Sequence, residues 1–127
     1  LTADNTQQMK QFRFLDWKVY QDSQELFSFV LNLVKSLPQE HRFTLGSQLI
    51  RSCSSITLNI AEGSGKQSEK ELNRFIETAL GSVYETLANL DILRINGFIK
   101  TGDFTRAKGM LSAISSQLGG LKKKLDL

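Results

Sequence analysis

Cysteine, proline and histidine are almost missing from this chain: each occurs once in 127 residues. A single thiol excludes an intramolecular disulfide, and Cys53 falls on an apolar stripe, as a small core residue does. That usage fits a reducing, cytoplasmic setting. One proline and short Gly/Ser stretches leave little room for a linker, so a single domain large enough to bury a real core is expected. His41 stands in a connection with no second ligand or nucleophile nearby, and no metal-ligand spacing or nucleophile motif occurs elsewhere. No enzyme, no cofactor and no metal are therefore expected. No apolar run approaches the roughly 20 residues that span a bilayer, and no signal-peptide pattern precedes the first helix, so no membrane partner is expected. Neither charge sign dominates: 16 basic against 13 acidic residues leave a net charge of +3. Such a mild excess permits nucleic-acid contact without requiring it.

What is present is helical periodicity, with no strand pattern anywhere. After a polar lead-in over residues 1–13, expected to be loose, Trp17, Tyr20, Phe27, Val30, Leu31 and Val34 recur at helical spacing, with Leu26, Phe29, Leu33 and Leu37 widening the stripe. Asp16 stands where an N-cap or first-turn acid would, and Pro38 ends the helix by pushing the preceding residue out of the α region. The aromatic density reads as core packing ahead of base stacking. Residues 39–43 make a short crossing into a central helix over 44–62, the stretch with the most to say.

Leu45, Leu49, Cys53, Ile56 and Ile60 form one apolar stripe of that helix. Gln48, Arg51, Ser55, Asn59 and Glu62 form a polar stripe beside it, while Ser47, Ser54, Thr57 and Ala61 keep a third side small. Such a helix reads as surrounded, its polar stripe needing partners from other helices or another subunit. Gly63 and Gly65 are expected to stop it in the left-handed conformation.

The Gly63–Gln67 loop lacks a Walker-type Gly-Lys-Ser/Thr ending and a preceding strand, so it reads as a turn. Ser68 and Glu71 form a capping box for a third helix with core positions Leu72, Phe75, Ile76, Ala79, Val83, Leu87, Leu90 and Leu93. Gly81 in its middle implies close packing or a neighbouring subunit, and Asn96-Gly97 ends it. Thr101-Gly-Asp103 is expected to cap a fourth helix, whose Phe104, Ala107, Leu111, Ile114, Leu118, Leu121 and Leu125 make a heptad-like seam. Lys122, Lys123 and Lys124 suit its C-terminal dipole and offer a phosphate-contacting patch as well. Four helices with short connections make an all-α, antiparallel up-down-up-down four-helix bundle over residues 14–127.

Gln48-x-x-Arg51, Ser55-Ile56-x-x-Asn59-Ile60-Ala61-Glu62-Gly63, Phe75, and Ala79-x-Gly81-Ser82-x-x-Glu85 closely resemble the signature of the 23S ribosomal RNA intervening-sequence proteins. Phe14, Leu15, Trp17 and Pro38 also sit where that family has them, and the resemblance covers roughly residues 14–118. Ser52-Cys53-Ser54 departs from it, where alanine would be usual. The resemblance implies an antiparallel four-helix bundle assembling as a homopentamer, with a distant relative in the accessory variability protein of diversity-generating retroelements. It also implies a capacity for RNA or DNA, for which Lys66, Lys70, Arg74 and Lys122–Lys124 are the candidate contacts. Gln48, Arg51, Ser55, Asn59, Glu62, Gly63, Gly81 and Glu85 are the candidate assembly residues. A protein-interaction scaffold with a protein partner and no nucleic-acid contact is the alternative.

Overall fold

The computed structural model describes residues 11–125. Most of the expected lead-in lies outside that range, but Arg13–Asp16 form a 3-10 turn. The first long helix, α1 (Lys18–Lys35), starts behind Trp17, whose backbone is extended. Asp16 therefore belongs to the preceding turn and does not cap α1.

The crossing into the second helix is wider than the sequence suggests. A single turn at Gln39–His41 leads into a π-helical turn at Arg42–Gly46, and α2 spans Ser47–Ser64. Arg42 explains the loosened winding: its guanidinium donates to Leu37 O at 3.0 Å and to Lys35 O at 3.0 Å, satisfying the end of α1. Gly46 is pressed into the same corner, where an added Cβ would lie 2.9 Å from Val34 Cγ1.

At its other end α2 runs through Gly63. Neither Gly63 nor Gly65 adopts a positive φ; among the described glycines only Gly97 does, at 78°. Gly63 is there for proximity, since a Cβ would meet Phe75 Cβ at 2.7 Å. The next helix, α3 (Glu69–Ile95), begins as expected, with Ser68 Oγ accepting from Glu71 N at 3.1 Å. It ends in a paired C-terminal motif: Phe98 N donates to Leu93 O and Gly97 N to Arg94 O, with Gly97 supplying the left-handed residue. The last helix, α4 (Thr101–Lys124), follows Lys100 with no side-chain cap, so Thr101 and Asp103 lie inside its first turn.

Cross-helix ties fix the topology. Thr57 Oγ1 lies 2.9 Å from Ser23 Oγ, and Arg13 Nε donates to Ser64 O, so α1 and α2 run oppositely. Ser55 meets Ser82 at 2.8 Å and Gln48 O accepts from Asn89, which makes α2 and α3 antiparallel. Arg94 covers the Phe104 ring while Lys122 reaches Glu77, reversing α4 against α3. Gln117 donates to Asp22 and Arg106 covers Phe29, closing α4 on α1. The result is the antiparallel up-down-up-down four-helix bundle. Its core holds Leu26, Val30, Leu49, Ile56, Ile60, Ile76, Leu90, Leu111, Ile114 and Leu118, with Cys53 among them. Burying each Leu or Ile contributes about 1.5–3 kcal/mol before entropy is charged.

Along α4 the apolar seam has its expected members, while Gly102, Gly109, Gly119 and Gly120 have nothing within 4 Å of where a Cβ would be. The seam between α2 and α3 is different in kind, because hydroxyls and amides line it. Thr86 Oγ1 lies 3.1 Å from Ser52 Oγ and 2.7 Å from Ser82 O, and Asn89 Nδ2 donates to Ser52 Oγ.

Candidate nucleic-acid interface

An even number of antiparallel helices brings the end of α2, the start of α3 and the end of α4 to one end of the bundle. The two stretches of candidate cations therefore meet, although more than forty residues separate them. Lys66 leaves α2 with its ammonium 5.1 Å from the centre of the Phe75 ring. One turn into α3, Arg74 donates to Glu71 at 3.2 Å. Lys122 reaches across from α4 to Glu77 at 3.5 Å. Lys70 is exposed on the first turn of α3. Both carboxylate pairs are solvent-facing, and such pairs are worth about 0–1 kcal/mol, so they are easily exchanged for other anions.

Lys122, Lys123 and Lys124 do not form a single patch. At 100° per residue they fan around α4, and Lys124 borders a separate groove between α1 and α4 with Trp17, Gln117 and Leu121. Between Lys66 and Arg74 lies an open groove of about 620 Å³, lined also by Asn59, Glu71, Phe75, Glu77 and Thr78. Arg13 is a further cation at this end that the charge pattern alone did not single out. Its guanidinium stacks 5.2 Å from the Trp17 ring centre while bonding the last turn of α2. Its proximity to Trp17 in the sequence was the signal available.

In the single chain the polar stripe of α2 faces largely outward. Gln48, Arg51 and Glu62 are exposed, while Ser55 and Asn59 are half-buried. Asn59 donates to Ser55 O at 2.7 Å and to Ser55 Oγ at 3.0 Å, within its own helix. The helix is not surrounded in the single chain. Its stripe runs along the outer groove between α2 and α3, and the α3 signature residues Gly81 and Glu85, also exposed, flank that groove. The buried polar partners are instead Ser52, Ser82 and Thr86, together with Ser23 and Thr57. Gly63 alone of the signature glycines is packed inside the chain, against Leu72 and Phe75, whereas Gly81 looks into open space.

Among the described residues, reactive groups do not gather. Burial pushes the Cys53 thiol up to about 12, far from a nucleophile's range. The His41 ring packs at a tilt against Phe98, ring centres 4.8 Å apart, with Glu40 at 3.8 Å. Among the described residues no cluster of three or more His, Cys, Asp or Glu could hold a metal ion. No helix among them is long and apolar enough to cross a membrane.

Three comparisons bear on this arrangement. A profile of the family described as 23S rRNA-intervening sequence protein matches residues 15–120. The fold is similar to a crystal structure of a protein of unknown function, from the S23 ribosomal protein family of Bacteroides thetaiotaomicron. The TM-score is 0.77 at 26% identity, covering 83% of this chain and 98% of that one. No curated protein matches.

Proposed function

Since the chain belongs to the 23S rRNA-intervening sequence protein family, we propose that it is a non-catalytic, self-assembling bundle that binds RNA or DNA through one basic end. The observation that carries this reading is the meeting of Lys66, Lys70, Arg74 and Lys122 at that end, joined by Arg13. Their acidic neighbours are exposed and weakly held, so phosphates can displace them at little cost. The Phe75 ring beneath Lys66 gives the site an aromatic floor. Five copies in a ring, as the family resemblance implies, would repeat the basic end and multiply its field. A buried thiol as the sole cysteine and a histidine packed against Phe98 support a non-catalytic role, and a lone buried cysteine suits the cytoplasm.

A scaffold that engages a protein partner is the second reading, favoured by the Glu71 and Glu77 carboxylates that offset two of the cations. Affinity for a generic structured RNA, measured by anisotropy across salt, separates the two. Phosphate contact predicts a linear fall of log K with log salt, at a slope of about −0.7 to −0.9 per phosphate neutralised. Glu substitutions at Lys66 and Lys70 should lower affinity and flatten that slope. Binding that is absent at low salt, or indifferent to salt, would favour the scaffold.

A further inference from the structure

Between the 3-10 turn and the end of α2 lies an open pocket of about 560 Å³, within the size range of small-molecule sites. Phe12 and Phe14 give it aromatic surface, Arg13 and Lys66 positive charge, and Gln11 and Gln67 side-chain amides. Phe12 is 63% exposed, and its φ of 56° makes it the one non-glycine residue in the left-handed region among those described. A bulky side chain in that region is strained. The Phe12 carbonyl accepts from Leu15 N at 3.1 Å and starts the 3-10 turn, so the backbone is held while the ring stays in water. Burial therefore does not offset the strain. The two cations differ from Arg74 and Lys122, because neither pairs with a carboxylate among the described residues. Arg13 is fixed by Ser64 O at 3.2 Å and by the Trp17 ring, and Lys66 lies over the Phe75 ring.

We propose that this pocket seats one unpaired nucleotide of a single strand, its base stacked on Phe12 and its phosphate met by Arg13 and Lys66. An unpaired base has a free face that an exposed aromatic ring can cover, whichever base it is. In a duplex both faces and the pairing edge are already engaged, which is why unpaired segments are the ones read by stacking. Gln11 and Gln67 each offer a donor and an acceptor to the base edge. Two cations against the single carboxylate of Glu62, which takes no part in the contact, leave the lining net positive. Lys66 borders the Arg74 groove as well, so a strand leaving the pocket continues along it. The inference rests on the basic-end reading and adds the form of nucleic acid that end takes.

Anisotropy on the full chain tests it, with a short single-stranded RNA, its deoxy counterpart and the blunt RNA duplex of the same sequence. The two single strands show which sugar the pocket takes. Phe12→Ala should weaken the preferred strand about ten-fold at an unchanged salt slope, since a stacking contact is lost and no phosphate contact is. It should leave the duplex unaffected. Phe12→Tyr, which keeps the ring, should bind as the wild type does, while Lys66→Glu should flatten the slope for strand and duplex alike. Circular dichroism should show each variant as helical as the wild type. If Phe12→Ala binds the strand as tightly as the wild type, or weakens strand and duplex equally, the stacking pocket is overturned. Lys66→Glu still weakening both ligands would then leave the basic end standing. A wild type that binds none of the three at low salt would remove both.

Discussion

Gly63 and Gly109 are both helical glycines, and their surroundings make opposite demands. At Gly63 a Cβ would fall 2.7 Å from Phe75 Cβ and 3.1 Å from Leu72 Cδ1, the first of which cannot swing aside. Gly63→Ala should force α2 and α3 apart and cost about 1–3 kcal/mol, more than the helix propensity it gains. At Gly109 nothing lies within 4 Å, so Gly109→Ala should stabilise the chain by up to about 1 kcal/mol. Urea melts of the two variants should move in opposite directions. Composition cannot tell these residues apart. In the sequence Gly63 follows Ala-Glu and precedes Ser-Gly, a context that reads as a helix stop, and only the approach of Phe75 reveals that the helix continues.

Between elements, the contrast is between an apolar seam and a hydrogen-bonded one. Thr86 is fully buried, its hydroxyl shared between Ser82 O and Ser52 Oγ. Thr86→Val keeps the shape and removes the hydroxyl, and should cost about 1 kcal/mol by thermal or chemical melting. An unchanged midpoint would mean that the α2–α3 ladder contributes nothing net. The apolar stripes of all four helices were legible because burial leaves a period in the residue types. So was the Ser68 cap, whose pattern is local. The ladder was less so: Ser52, Ser82 and Thr86 stand beside the apolar stripes and not on them, and small hydroxyl residues there have meaning only once the facing helix is known. The π-helical turn depended on Arg42 reaching back to α1, a contact with no local signature. For the basic end, the chain topology was needed to bring Lys66 and Lys122 together.

At the scale of the whole molecule, closure of the square depends on α1 and α4, the two helices furthest apart in sequence. Asp22 ties them: it accepts from Lys18 at 2.6 Å and from Gln117 of α4 at 2.8 Å. The Lys18 bond first, and then the Gln117 bond, hold its carboxyl below the ordinary range. A carboxyl lowered in the folded state adds stability above its unfolded pKa, about 3.9, and that contribution is lost as pH falls through the folded value. Asp22→Asn should therefore melt below the wild type at neutral pH, with the gap shrinking as the pH is taken below that range. The four open glycines of α4 have a further consequence. Each costs about 1 kcal/mol against alanine, and the helix is held by an apolar seam with few polar ties. α4 should thus be the bundle's most readily released wall. Its backbone amides should exchange with deuterium as one unit, ahead of those in α2 and α3, whose hydroxyl ladder must break before they part.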